Sequence, residues 1–304
     1  MKILVTGGAG FIGSHVADLY IENGHEVAIL DNLSTGKKEF VNKLAKFYQA
    51  DITHKADVEK VIKDFKPEVI NHHAAHINVG NSVKDPQFDA QNNILGLLHL
   101  METAKDFGLK RVILASTGGA MYGNNPTPSK EDMRPDPLSP YGVSKRAGEL
   151  YLNCYQELYD IQYAALRYAN VYGPRQNPHG ESGVIAIFSE MLSKGKTPII
   201  NGDGTHTRDY IYVSDVAQSN LLVLNTEFTG VLNIGTGKTT STNDVFDQVV
   251  KELGIDAKKK YGPERPGEQE TSCLDYSKAQ EVLGWQPIVD FKQGVKQVVE
   301  WYRS

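Results

Sequence analysis

A glycine-rich turn lying between an apolar run and a helical pattern narrows the fold more than any other feature of this chain. Lys2-Ile-Leu-Val5 is followed by Thr6-Gly-Gly-Ala-Gly-Phe-Ile-Gly13, and a helical pattern then runs to about Asn23. Glycines at 7, 10 and 13 suit a turn that lets the backbone approach a pyrophosphate, with the helix N-terminus supplying N–H donors and partial positive charge. A second apolar run, Val27-Ala-Ile-Leu30, ends in Asp31. A carboxylate there is placed to accept hydrogen bonds from an adenosine ribose, which favours NAD over NADP. A polar residue closing a strand would explain Asp31 alone. It does not explain the whole unit, which reads as a dinucleotide-binding βαβ element.

Short apolar runs recur with helical segments between them, at Val69-Ile-Asn-His72, Arg111-Val-Ile-Leu-Ala115 and Ala164-Ala-Leu-Arg167. The spacing predicts crossover helices over 55–66, 88–107 and 140–159, and hence an α/β fold with a doubly wound parallel sheet of the Rossmann kind. Prolines and glycines become denser at Tyr172-Gly-Pro174, Pro178-His-Gly180 and Asn201-Gly-Asp-Gly204. We therefore expect an NAD-binding domain over 1–170 and a smaller α/β substrate domain over 171–304. A helical pattern at 214–225 and a strand pattern at 230–235 suggest that the region near 214–237 returns to the first sheet. Ligand is expected in the crevice at the carboxyl ends of the strands.

Composition removes several function classes. The chain has 304 residues, 40% hydrophobic and 23% charged, with a net charge of -5 and dispersed basic residues. That pattern leaves no footprint for nucleic acid or an anionic membrane. No apolar stretch approaches the ~20 residues of a membrane span, and Met1 runs straight into the first apolar run without room for a leader. A cytoplasmic protein is the expectation. Two cysteines, Cys154 and Cys273, make neither a disulfide framework nor a zinc site, and Cys154 is expected to be a small buried residue of a helix. His72, His73 and His76 cluster after the third expected strand, with too few carboxylate neighbours for a metal, so no metal is expected.

Tyr141 and Lys145 stand four apart in Ser139-Pro-Tyr-Gly-Val-Ser-Lys145, so a helix would place them on one face. A free tyrosine has a pKa of about 10 and needs positive neighbours to act as a base near neutrality. A lysine ammonium one turn away and an oxidised nicotinamide would both push in that direction. An isolated Tyr-x-x-x-Lys could equally be an exposed pair on an amphipathic helix; the dinucleotide unit upstream makes the base reading the better one.

Taken in order, TGGAGFIG at 6–13, HHAAH at 72–76, ASTGGAMYG at 115–123, SPYGVSK at 139–145, LRYANVYGPRQ at 166–176, GDGTHTRDYIYVSDVA at 202–217 and RPGE at 265–268 resemble the extended short-chain dehydrogenase/reductases. Within these, the chain is similar to the UDP-glucose (UDP-galactose) 4-epimerases over nearly its whole length. The resemblance implies catalysis by Thr117, Tyr141 and Lys145. The sugar 4-hydroxyl would lose its proton to Tyr141 with help from Thr117 while NAD takes the C4 hydrogen as hydride, and the keto sugar would turn before the hydride returns. Many family members carry serines where this chain has Thr117-Gly118.

For the cofactor, the resemblance implies Gly7, Gly10, Phe11, Ile12 and Gly13 in the turn and Asp31, Asn32, Ser34 and Gly36 after the second strand. It adds Asp51 and Ile52 at the adenine, Ala74 and Ala75 on the phosphate side, Asn93 nearby, and Ser116 and Tyr168 with Tyr141 and Lys145 at the nicotinamide. For a UDP-sugar it implies Thr117, Asn170, Arg208, Arg265 and Glu268, with Gly183, Val184 and Ile199 around the uracil. Two guanidinium groups suit a diphosphate because each offers forked donors and a permanent charge. Ser272, three positions before Asp275, is small where restricted family members are bulky, and Gly118 and Ala169 are small too, which implies room for a 2-acetamido group. A homodimer through helices at 88–107 and 140–159 is implied as well. The rivals are a UDP-glucuronate epimerase or decarboxylase, a nucleotide-sugar dehydratase and a silent NAD-sensing regulator. A dehydratase needs an acid–base pair where this chain has Gly118-Gly119, and a sensor has no need of the catalytic trio.

Overall fold

A computed structural model describes residues 1–125, 128–179, 183–264 and 269–303. The strands of the first half are β1 (Lys2–Thr6), β2 (Glu26–Asp31), β3 (Lys46–Gln49), β4 (Val69–His72), β5 (Arg111–Thr117) and β6 (Gln162–Tyr168). Those that follow are β7 (Asn170–Tyr172), β8 (Ile199–Asn201), β9 (Thr207–Tyr212), β10 (Gly230–Ile234), β11 (Thr239–Ser241), β12 (Lys260–Gly262) and β13 (Thr271–Ser272). Helices α1 (Phe11–Glu22), α2 (Lys55–Phe65), α3 (Val79–Lys84), α4 (Pro86–Ala90), α5 (Gly96–Ala104) and α6 (Pro140–Tyr159) alternate with the early strands. The second half adds α7 (Val184–Ser193), α8 (Val213–Leu224), α9 (Thr242–Leu253), α10 (Ser277–Leu283) and α11 (Phe291–Arg303).

Seven strands form one parallel sheet in the order β10-β6-β5-β4-β1-β2-β3. The order in which strands are added reverses between β1 and β4, the switch point at which such sheets open a crevice. Central strands are buried on both faces, and Ile3, Leu4 and Val5 are wholly buried. Alternation sends Leu4 toward Val61, Ile62, Leu100 and Leu152 on one side, and Ile3 and Val5 toward Val16, Tyr20 and Val216 on the other. Each such side chain contributes about 1.5–3 kcal/mol through burial. β10 joins β6 in register, Gly230 opposite Ala164 through Ile234 opposite Tyr168, so the segment expected to return does so. A mixed sheet centred on β9 carries β7, β11 and β13, and a third apolar cluster packs α7, α9 and α11 against Tyr172, Tyr210 and Tyr212.

Three local expectations are corrected. β3 was not anticipated, because Lys46-Phe-Tyr-Gln49 is an edge strand without an apolar run, and it shifts the count of later strands by one. The expected helix at 88–107 begins earlier, at Pro86 with Asp85 as cap, and is interrupted by a wide π-helical turn over Gln91–Leu95. Cys154 is exposed, because the buried stripe of α6 runs through Gly148, Leu152 and Tyr155.

Candidate active site

Gly7 has φ +68, a left-handed conformation, and a Cβ there would lie 2.6 Å from the backbone nitrogen of Ala74. At Gly13 a Cβ would lie 2.3 Å from the Gly7 carbonyl oxygen, so only glycine lets α1 start this close to the turn. The first-turn N–H groups of α1 have no intrahelical partner and face a cavity of about 580 Å³. Asp31 closes β2 and is buried. Its Oδ2 accepts from Ala9 N at 3.0 Å and its Oδ1 from Leu33 N at 2.8 Å, which ties the glycine turn to the next loop. Burial raises the Asp31 carboxyl above its usual range, against the pull of those two backbone donors.

The cavity gathers most of the expected cofactor residues. Gly7, Gly10, Phe11, Ile12, Gly13, Asp31, Asn32, Ser34, Asp51, Ile52, Ala74, Ala75, Ser116, Tyr141, Lys145 and Tyr168 all line it. Gly36 and Asn93 do not. Gly36 packs behind Asp31 and Ala9, where a Cβ would lie 2.9 Å from Asp31 Oδ1. Asn93 sits in the π-helical turn, where its Oδ1 accepts from His76 N and its Nδ2 donates to His76 O, Asp89 and Ser144. It fixes the cavity wall rather than forming it.

At the far end of the cavity, Ser139 caps α6 by accepting from Gly142 N at 3.2 Å, and Pro140 occupies the first turn. Tyr141 follows in the same turn and Lys145 lies one turn later, with its Nζ 5.9 Å from the Tyr141 ring centroid. Lys145 is buried and donates to the Ala115 carbonyl at 2.8 Å. Burial brings its ammonium down from 10.5 to about 8, against the opposing charges of Asp89 and Glu149. It is therefore still mainly charged at neutral pH. His72 and His73 are brought to about 3, by burial first and by Lys145 second, and so are neutral. His72 Nδ1 meets Thr6 Oγ1 at 2.7 Å, while His73 stacks on Tyr168 with its buried Nε2 unpartnered. Among the described residues no group of three or more His, Cys, Asp or Glu is placed to hold a metal ion.

Thr117 ends β5, and its Oγ1 accepts from Ala120 N at 3.2 Å, closing the turn that follows. Asn170 lies next to that turn: a Cβ on Gly119 would come 3.6 Å from its Oδ1. Arg208 on β9 stands in register with Ser272 on β13, and its Nη1 donates to Thr207 O at 2.8 Å. Gly183 caps α7, Val184 begins it, and Ile199 opens β8. None of Thr117, Asn170, Gly183, Val184, Ile199 and Arg208 lines the dinucleotide cavity. Arg265 and Glu268 lie outside the described residues. The smallness of Gly118 has a packing cause, since a Cβ there would lie 2.4 Å from Leu274 Cδ1. Ala169 belongs to the same apolar cluster as Leu274.

Sequence reading missed Asn177 and His179, which line the cavity from the loop after β7. Their signal was present as polar residues flanking Pro178 shortly after the strand that ends in Tyr172.

A sequence model of the NAD dependent epimerase/dehydratase family matches residues 3–235. The chain belongs to that family. A UDP-glucose 4-epimerase of Mycolicibacterium smegmatis is 44% identical over 311 residues, spanning 100% of this chain and 99% of that relative. A UDP-glucose 4-epimerase of Thermotoga maritima, solved with UDP-glucose, superposes with a TM-score of 0.97 at 47% identity, covering 100% and 99% of the two chains. A UDP-glucose 4-epimerase of Thermus thermophilus, solved in complex with NAD, gives a TM-score of 0.95 at 42% identity, with 100% and 99% covered. Membership in the epimerase/dehydratase family accounts for the β1–α1 turn and for Asp31 together. No described helix is long and apolar enough to cross a membrane.

Proposed function

We propose that this protein is an NAD-dependent UDP-hexose 4-epimerase interconverting UDP-glucose and UDP-galactose. The observation that carries the proposal is the Tyr141–Lys145 pair set at the far end of a cavity built for a dinucleotide. The residues present fit NAD. Gly7 and Gly13 let the backbone of the turn pack closer than any Cβ would allow, the first turn of α1 offers N–H donors, and Asp31 retains acceptor capacity for a ribose. NAD, when bound, supplies an acceptor for the hydrogen on sugar C4 and gives it back. Tyr141 takes the proton of the 4-hydroxyl, and Lys145 holds the phenolate by its charge. Burial of Lys145 strengthens its hold on that charge. Thr117 orients the sugar hydroxyl from the end of β5. Arg208, with Arg265, is assigned to the diphosphate, and Asn170 to the same ligand from beside the Thr117 turn.

The small Ser272, in register with Arg208, supports acceptance of the N-acetylated UDP-hexoses as well. We assign residues 1–170, with the returning β10 segment, to cofactor binding and 171–304 mainly to the sugar nucleotide. We further infer a homodimer through α4–α5 and α6, supported by the exposed apolar side chains Leu95, Val143, Leu150 and Leu158 on those helices. A cytoplasmic location completes the proposal. The test is incubation of the purified protein with UDP-galactose and NAD, following UDP-glucose by chromatography. Tyr141→Phe should retain NAD and lose at least about a hundredfold in rate. An inert wild type across a panel of UDP-hexoses would refute the assignment.

A further inference from the structure

Beneath α6 lies a row of buried polar side chains of which only Ser116 reaches the cavity. Ser116 on β5 is in register with Arg167 on β6, and Arg167 with Asn233 on β10, so the three project to the same face of the sheet. Glu149 reaches down to this row from α6. It accepts from Ser116 Oγ at 2.7 Å, and Arg167 clasps it with Nε at 2.8 Å and Nη2 at 2.7 Å. Arg146 adds a third cationic donor at 2.9 Å. From Arg167 the row continues through Tyr122 OH at 2.7 Å to Asn233 Oδ1 at 2.8 Å, and Asn233 donates to the Ser129 carbonyl at 2.8 Å. Ser129 N in turn bonds the carbonyl of Cys273, beside Ser272. No polar side-chain atom of Ser116, Tyr122, Glu149, Arg167 or Asn233 is buried without a partner.

Tyr141, Lys145 and Glu149 follow one another at single-turn spacing along α6. Lys145 is fastened to Ala115 and Glu149 to Ser116, the two residues before Thr117. Two successive rungs thus fix α6 both along and across the end of β5. We propose that Glu149 is the positioning residue of the site: through Ser116 and Arg167 it sets Tyr141 and Lys145 against Thr117. Tyr122 and Asn233 carry the same restraint to the segment bearing Ser272. Stability alone is a poor reason for such a pair, since well-packed apolar residues replace buried ion pairs at little or no cost. Geometry is the better reason, because misplacement by about 1 Å costs about a hundredfold in rate. The activity arm of this proposal rests on the epimerase reading.

Glu149 also faces Lys145 as a counter-charge. The other titratable groups around Lys145 are Asp89 from α4, Tyr141 from α6, and the neutral His72 and His73 at the end of β4. The experiment compares wild type with Glu149→Gln, with the paired apolar variant Glu149→Leu/Arg167→Met, and with Tyr122→Phe. It reads kcat, KM, NAD affinity and the pH midpoint for acetic anhydride modification of Lys145 by mass spectrometry. For Glu149→Gln, kcat should fall about tenfold to a hundredfold, while KM and NAD affinity stay within about threefold. The Lys145 midpoint should move to lower pH. Tyr122→Phe should lower kcat in the same sense by less. Unchanged kcat in folded Glu149→Gln, or a loss matched by the unfolded fraction with the Lys145 midpoint unmoved, overturns the proposal. If that variant does not fold, the paired variant decides: lost kcat supports the proposal, and full kcat overturns it. A wild type that turns over no UDP-hexose strikes the epimerase reading instead, and the Lys145 midpoint then decides the role of Glu149 alone.

Discussion

Replacing Lys145 by methionine should change how stability depends on pH, and the size follows from its burial. In the folded protein its ammonium titrates at about 8 rather than 10.5, chiefly because burial penalises the charge. The folded state therefore binds fewer protons than the unfolded chain between those two values. By linkage, stability then rises with pH across that window. Below about 8 both states are protonated, and the full cost of burying the charge is present, about 3 kcal/mol at ~1.36 kcal/mol per unit. Between pH 7.5 and 9.5 the relief from this group amounts to about 2 kcal/mol. Urea unfolding of the cofactor-free protein at those two pH values measures it. Staying below about 10 avoids the buried tyrosines Tyr20, Tyr168 and Tyr172, whose phenols burial pushes far up and which would oppose the trend at higher pH. Wild type should gain about 2 kcal/mol relative to Lys145→Met over this interval, with m unchanged. Equal pH responses in the two proteins would mean that Lys145 is not buried as a charge, and the electrostatic account of the Tyr141 base would fall with it.

Gly13→Ala must push α1 from the glycine turn, because its Cβ would sit 2.3 Å from the Gly7 carbonyl oxygen. NAD affinity by fluorescence titration should drop at least about tenfold, with a stability loss of about 1–3 kcal/mol. Gly294→Ala places a Cβ 2.2 Å from the Tyr172 hydroxyl, remote from the cavity, and should cost about 1–3 kcal/mol in urea unfolding while leaving NAD affinity unchanged. Ser272→Tyr should depress turnover of UDP-N-acetylglucosamine more than that of UDP-glucose; parallel losses on both sugars would remove Ser272 from the specificity reading.

Much of the cofactor half was legible in local sequence because each of its signals is short-range. Glycine spacing fixes what a turn can do, a strand ending in Asp31 fixes where a carboxylate stands, and Tyr141 and Lys145 share a helix face by periodicity alone. Less of the second half was legible. Arg208 and Ser272 meet only because β13 pairs with β9, a contact between residues 64 apart in the chain. β3 escaped because a half-covered edge strand needs no apolar run, and the π-helical turn because its Asn93 bonds His76, a contact made only in the folded chain.

From sequence alone came the fold class, the cofactor turn and the placing of Tyr141 and Lys145 on one helix face, since propensity, periodicity and spacing act within a few residues. Tertiary structure alone decided that Gly118 packs against Leu274, and that Lys145 is dry enough to titrate near 8. It also decided that Glu149, Arg167 and Asn233 form one row under α6. Such outcomes depend on which distant segments share a wall, and burial, not residue type, sets the strength of a charge.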